Sequence, residues 1–110
     1  MKQNNILVVV VAYNSMRWAE RCYSSLRTSS VPCDILMIDN GSTDGTQEYI
    51  RKNYPEVEVV ETGSNLGFGR ANNIGLQRVL DEGYDYCYLL NQDAWVFQDT
   101  LNLLIETHQK

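Results

Sequence analysis

The sequence predicts an α/β domain with a mostly parallel sheet of about four strands and helices on both faces. Two observations lead to this class. Short apolar runs rich in β-branched residues, typical of buried strands, alternate with segments whose apolar residues recur at helical spacing. Parallel strands need crossover connections, and helical crossovers cover both faces of the sheet. The length of 110 residues fits a single domain, residues 1–110.

The first third of the chain carries two strands and one helix. Residues 6–12 are continuously apolar and form the first predicted strand. Asn14 or Ser15 is expected to cap a helix that extends to about Ser29. Residues 35–38 form the second predicted strand.

The second helix and the third strand follow. Ser42 or Thr43 is expected to cap this helix, which continues to about Asn53 because Pro55 cannot extend it. Residues 57–60 form the third predicted strand, a short one.

The remaining residues predict a loop, a strand and two helices. Residues 63–69 form a glycine-rich loop, and a helix is predicted from Ala71 to about Leu80. Residues 86–90 form the fourth strand, and Asp99 is expected to cap a last helix.

Composition excludes several classes of function. The net charge is −5 and there is no basic stripe, which argues against binding of nucleic acid through its phosphates. The apolar run of residues 6–12 is too short to span a bilayer, so no transmembrane segment is predicted. The three cysteines, Cys22, Cys33 and Cys87, have no metal-binding spacing and are typical of reduced, mostly buried thiols in a cytoplasmic protein.

Two predicted strands end on acidic loops. Asp39 follows the second strand, and Asn91 and Asp93 follow the fourth. In open α/β sheets ligands bind at the carboxyl ends of the strands. The amide oxygen of Asn91 and the carboxylate of Asp93 suit Mg²⁺ or Mn²⁺, which take oxygen ligands. A capped turn after the fourth strand explains the same residues equally well.

Electrostatics favours a metal if the ligand is a diphosphate. A diphosphate that approaches Asp39 and Asp93 meets like charge. One phosphate and one carboxylate charge at about 4 Å repel each other by on the order of 4 kcal/mol at an effective dielectric constant of about 20. A bridging divalent cation reverses the sign of this interaction.

Other polar and aromatic residues have open alternatives. Tyr13 leaves the sheet where its ring could stack on a nucleotide base, or it packs at the corner between strand and helix. Arg70 could neutralise a phosphate, or it is a solvated surface charge. Asp44 falls in the first turn of a helix and is read as structural, whereas Asp39 does no capping there and is read as functional.

In this order, several segments resemble the inverting glycosyltransferases of family 2, which have the GT-A fold. They are residues 11–14, 38–46, 65–68, 71–75 and 89–93. The resemblance covers essentially the whole chain and is strongest to the branch that includes rhamnosyltransferase-like enzymes of bacterial surface polysaccharides. It implies that this chain is the Rossmann-like, nucleotide-sugar-binding half of such an enzyme.

The resemblance also implies roles for individual residues. Ala12, Tyr13 and Asn14 would lie in the donor pocket, Asp39 would bond the base, and Arg70, where small residues are commoner, would add a phosphate contact. Residues 91–93 stand where the family carries its D-x-D metal motif. Asn91 replaces the first carboxylate there, so the implied ligands of Mg²⁺ or Mn²⁺ are Asp93 and Asn91, with Asn91 also near the donor.

The implied reaction is a single displacement at the anomeric carbon of a nucleoside-diphosphate sugar by a hydroxyl of a carbohydrate or lipid-linked acceptor. The metal stabilises the leaving diphosphate, and a carboxylate base deprotonates the acceptor. That base is expected beyond Lys110, so we expect the isolated chain to be poorly active or inactive. We also expect self-association through exposed apolar surface, and a cytoplasmic location that includes the inner face of the membrane.

Two other classes of function compete with this interpretation. A signalling receiver or another flavodoxin-like module needs an acidic pair after the first strand, and Tyr13 and Asn14 supply none. A receiver also needs a lysine after a later strand, and residues 53–109 contain none. A nucleotide-sugar-binding protein without catalysis is not separated from the transferase by the sequence.

Overall fold

Four strands and three helices alternate along residues 4–93, the part of the chain that the computed structural model describes. The elements are β1 (Ile6–Ala12), α1 (Met16–Arg27), β2 (Asp34–Asp39), α2 (Thr46–Asn53), β3 (Val57–Glu61), α3 (Phe68–Glu82) and β4 (Tyr86–Asn91). The predicted last helix, with Asp99 as its cap, lies outside the described residues. Every helix between residues 4 and 93 is too short or too polar to cross a bilayer.

All strand pairs are parallel, and their order across the sheet is β3-β2-β1-β4. The predicted α/β class is therefore confirmed. Ala12 pairs with Asp39 on one side of β1, and Val11 pairs with Asn91 on the other. This register brings the carboxyl ends of β1, β2 and β4 side by side at one edge of the sheet.

The central strand β1 buries both of its faces because helices cover the sheet on both sides. Ile6, Val8, Val10 and Ala12 pack into one apolar layer together with residues of α1 and α2. Leu7 and Val9 pack into a second layer together with residues of α3. Successive side chains of a strand point to opposite faces, which explains why the run is apolar at every position.

Helix α3 approaches β1 closely at a glycine. A Cβ atom on Gly75 would lie 2.6 Å from Cγ1 and 2.8 Å from Cγ2 of Val9. Non-bonded carbon atoms do not tolerate this separation, so a side chain at position 75 would push α3 away from the sheet. Gly75 therefore sets the distance between α3 and β1.

Ser15 stands at the N-cap of α1, one of the two predicted positions, although its side chain makes no capping bond, whereas the cap of α2 differs from the prediction. Gly45, with φ of 88°, occupies the N-cap position of α2, so neither Ser42 nor Thr43 caps this helix. Oδ1 of Asp44 instead accepts from the backbone N–H of Thr46 at 3.1 Å. Oδ2 of Asp44 accepts from the backbone N–H of Met16 at 3.1 Å, although Met16 begins a different helix. The predicted structural role of Asp44 is thus confirmed.

Helix α3 begins three residues earlier than predicted. It starts at Phe68 after Gly67, whose φ of 84° ends the glycine-rich loop. Oδ1 of Asn65 accepts from the backbone N–H of Gly67 at 2.8 Å and fixes this turn. Arg70 therefore lies in the first turn of a helix and not in the loop.

Candidate functional site

A cavity of about 330 Å³ lies where the carboxyl ends of β1, β2 and β4 meet. Its lining residues come from three strand ends, from the loop before α3 and from the first residue of α3. They are Val11, Tyr13, Asn40, Asn65, Phe68, Asn91, Gln92 and Asp93. The structure thus brings Tyr13, Asn91 and Asp93 to one site, as the sequence predicts.

Two exposed aromatic rings line this cavity. Tyr13 is 45% exposed and Phe68 is 61% exposed. Large apolar rings usually pack inside a domain, and an exposed ring beside a cavity can stack on a flat ligand. Phe68 was missed by the sequence analysis because its position was assigned to a loop.

Asp39 is fully buried, and its carboxylate accepts hydrogen bonds from the residues that follow it. Its Oδ2 accepts from the backbone N–H of Ser42 at 3.0 Å and from Nε2 of Gln47 at 2.7 Å, and its Oδ1 accepts from the Ser42 hydroxyl at 2.6 Å. Asp39 therefore caps no helix, as predicted, since α2 begins only at Thr46, but its carboxylate holds its own loop together. A contact between Asp39 and a base stays a prediction, and because this residue is 0% exposed the loop would have to move.

Asn40, next along the chain, faces the cavity and holds its wall. Its Oδ1 accepts from the backbone N–H of Leu66 at 3.0 Å, and its Nδ2 donates to Oδ1 of Asn65 at 3.2 Å. These bonds tie the end of β2 to the glycine-rich loop. Asn40 and Asn65 lie in two of the motifs noted in the sequence, at residues 38–46 and 65–68. An amide side chain in a motif does not, however, indicate which group it bonds to.

Besides Asp39, three further predicted donor residues do not line the cavity. Ala12 is buried in the layer on the other face of the sheet, and its neighbour Val11 lines the cavity instead, so a donor contact of Ala12 stays a prediction. Asn14 has φ of 49° and joins two loops, because its Oδ1 accepts from the backbone N–H of Thr43 at 2.8 Å. Arg70 is exposed on α3. Both interpretations of Arg70, a phosphate contact and a solvated surface charge, stay open.

Gln92, to which the sequence analysis gave no role, links two strand ends. Its Oε1 accepts from the backbone N–H of Tyr13 at 2.7 Å. The two residues are 79 positions apart in sequence. This bond therefore depends on the parallel pairing of β1 with β4, which the local pattern did not specify.

The site offers a metal ion few protein ligands. Asp93 and Asn91 supply one carboxylate and one amide, and residues 4–93 contain no group of three or more His, Cys, Asp or Glu side chains placed to hold a metal. Mg²⁺ usually binds through one or two carboxylates together with water and substrate phosphates. The residues present therefore fit a hard cation that arrives with a phosphate-bearing ligand.

The loop between β2 and α2 also contains an acidic residue, Asp44, whose pKa is lowered. Partial burial raises the pKa of Asp44, but hydrogen bonds from Thr46 and Met16 outweigh this effect and leave the pKa below its usual value. The ionised form of Asp44 thus stabilises the starts of α1 and α2 beside the cavity.

Comparison with known proteins identifies the family. The sequence profile described as glycosyl transferase family 2 matches residues 7–110. The chain belongs to this family. Among curated relatives of this family 2 domain, the N-acetylglucosaminyl-diphospho-decaprenol L-rhamnosyltransferase of Mycobacterium tuberculosis is 43% identical over 67 residues, which are 60% of this chain and 22% of that protein.

Solved structures share the fold of this family 2 domain. Staphylococcus aureus TarS 1–349 in complex with UDP-GlcNAc superposes with a TM-score of 0.81 at 20% identity, over 96% of this chain and 31% of that one. The mannosyltransferase PcManGT of Pyrobaculum calidifontis, in complex with GDP-Man and Mn²⁺, gives a TM-score of 0.79 at 22% identity, over 96% of this chain and 32% of that one. The expected GT-A fold is confirmed. The chain spans about a third or less of the length of these proteins.

Proposed function

We propose that this domain binds a nucleoside-diphosphate sugar as the donor-binding part of an inverting glycosyltransferase. One observation carries the proposal. A single cavity at the carboxyl edge of the parallel sheet combines exposed aromatic rings with the oxygens of Asn91 and Asp93. Rings suit a nucleobase, and oxygen ligands suit the metal that accompanies a diphosphate.

The proposed metal is Mg²⁺ or Mn²⁺, held by Asp93 and Asn91 together with phosphate oxygens of the donor. Its charge stabilises the diphosphate as it leaves the sugar. Asp93 is the one carboxylate among the described lining residues, so without a metal it repels the donor. The Mn²⁺ in the PcManGT complex supports this choice of ion for a protein of the same fold.

The remaining parts of the proposal concern the acceptor and the location. The acceptor is a hydroxyl of a carbohydrate or lipid-linked saccharide in cell-surface polysaccharide synthesis, and the general base lies beyond Lys110. The name of the mycobacterial relative includes a decaprenol-linked saccharide, which supports a lipid-linked acceptor. Such an acceptor would bring a cytoplasmic protein to the inner face of the membrane.

Calorimetric titration of the 110-residue chain tests the proposal. UDP-, dTDP- and GDP-linked sugars are titrated with and without Mn²⁺, and we expect one of them to bind and Mn²⁺ to strengthen it. Asp93→Asn should abolish the effect of Mn²⁺. Asp85→Asn is the matched control because Asp85 precedes β4 at the opposite edge of the sheet, and it should behave like the unaltered chain.

The outcomes separate the competing functions. Heat from none of the three donors would refute every donor-binding version. Binding of Mg²⁺ alone without any nucleotide sugar would favour a flavodoxin-like module. A binding protein without catalysis gives the same titrations, so transfer of sugar by the longer enzyme that contains this domain distinguishes it.

A further inference from the structure

The strand ladder between β1 and β4 ends at the cavity wall. Its last pair is Val11 with Asn91. Beyond it, the backbone N–H of Tyr13 donates to the side chain of Gln92 at 2.7 Å. Gln92 thus adds one rung to the ladder with a side-chain oxygen in place of a backbone carbonyl.

The end of β1 is held differently on its two sides. On the side of β2, the backbone N–H of Asn14 donates to Oγ of Ser42 at 2.8 Å, and Oδ1 of Asn14 accepts from Thr43. On the side of β4, the bond between Tyr13 and Gln92 is the side-chain link that joins the two strand ends. Within residues 4–93, β4 pairs with β1 alone, so the position of its end depends strongly on this link.

We infer that Gln92 is a positioning residue that fixes the distance between the Tyr13 side of the cavity and the metal-binding side formed by Asn91 and Asp93. The inference rests on the proposed function. A donor that contacts both sides binds well only if they are held at the right separation, because ordering them on binding costs free energy. Because Gln92 orders the two sides before the donor binds, less free energy is lost on binding.

The chemistry of glutamine suits this position. Its amide oxygen accepts the Tyr13 N–H without adding charge next to Asp93. Glutamate would accept the same bond but would bring a second negative charge to a diphosphate site. Methionine has a similar length without the oxygen acceptor, and asparagine is one methylene too short.

The experiment compares Gln92→Met, Gln92→Asn and Gln92→Glu in the whole chain. Gln77→Met is the control, since Gln77 is an exposed glutamine on α3 that bonds to Asp81. Exchange of the Tyr13 amide hydrogen is measured by NMR without ligand. Affinity for the donor that binds the unaltered chain is measured with and without Mn²⁺.

We expect the Tyr13 amide to exchange about tenfold faster in Gln92→Met and Gln92→Asn, and donor affinity to fall about threefold to tenfold, as for the loss of one hydrogen bond. Gln92→Glu should keep the amide protected. It should weaken the donor without metal and restore its affinity with Mn²⁺, a reversal that general loss of folding would not produce.

Two results would overturn the inference alone: unchanged exchange of the Tyr13 amide in Gln92→Met, or unchanged donor affinity in that variant. Equal losses in Gln77→Met would do the same. Absence of donor binding by the unaltered chain would overturn the proposed function, and this inference with it.

Discussion

Nε2 of Gln47 donates to Oδ2 of Asp39 at 2.7 Å, and both side chains are buried. The last residue of β2 is thereby bonded to the first turn of α2. Ser42 adds two more donors to the same carboxylate. The loop beside the cavity is consequently built around Asp39.

We predict that Asp39→Ala lowers the free energy of unfolding by about 3 kcal/mol, because three buried or half-buried donors lose their acceptor. Asp39→Asn should cost less, since its amide oxygen can still accept from Ser42 and Gln47. Urea denaturation measures both. An Ala variant as stable as the unaltered chain would show that the loop does not depend on this carboxylate.

Gly75→Ala should destabilise the domain although alanine favours helices. The gain in helix propensity is about 1 kcal/mol, whereas overpacking against Val9 costs about 1–3 kcal/mol. Gly69→Ala is the matched control on the same helix, because among residues 4–93 no atom outside the neighbouring helix backbone lies within 4 Å of the added Cβ. Thermal unfolding should rank Gly75→Ala below the unaltered chain and Gly69→Ala at or above it.

Asp44 should make stability depend on pH in acid. Its pKa in the folded protein lies below the usual 3.8, so its contribution is complete above that value and is lost as the pH falls through the folded pKa. Asp44→Asn should therefore be less stable than the unaltered chain at neutral pH, by about 1 kcal/mol as for a helix cap, and the difference should vanish in strong acid. A difference that persists at the lowest pH, measured by denaturant titration, would contradict this.

Phe68→Ala should weaken binding of the nucleotide part of the donor. Stacking of an aromatic ring on a base contributes about 1–3 kcal/mol, so we expect a loss of about fivefold or more. Leu80→Ala removes an exposed apolar side chain of the same helix that does not line the cavity, and it should leave affinity unchanged. Fluorescence titration with the preferred nucleoside diphosphate compares the two.

Self-association, predicted from exposed apolar surface, has candidate residues in α3 and β4. Leu76, Leu80 and Leu89 are 41%, 76% and 44% exposed. Sedimentation of the isolated chain should show dimers or larger species at high concentration, and Leu80→Glu should shift it toward the monomer. A clean monomer at every concentration would refute the prediction.

The class of fold was predictable because the pattern that determines it is local. The apolar runs of β1 and β2 show their burial in their own residues, and Gly83, with φ of 73°, ends α3 in the left-handed conformation that glycine favours. Acidic and amide residues directly after such strands were therefore placed at the correct edge. The convergence of Tyr13 and Asp93 follows from that placement.

The partners of polar side chains were not predictable in the same way. Asp44 caps a helix that begins 28 positions earlier, and Gln92 reaches a backbone N–H 79 positions away. The sequence also did not show that Ala12 points away from the layer covered by α3, because both faces of β1 are apolar.

By itself, the sequence determined a parallel α/β sheet, the edge that carries polar residues, and the family resemblance, since alternation of apolar runs and the order of motifs are properties of the chain read along its length. Only the tertiary structure decided that Asp39 serves its own loop, that Val11 and Phe68 line the cavity, and that Gln92 joins β4 to β1. The physical reason is that a hydrogen bond or a cavity wall requires two distant segments at a fixed separation, and that separation is set by packing of helices on the sheet.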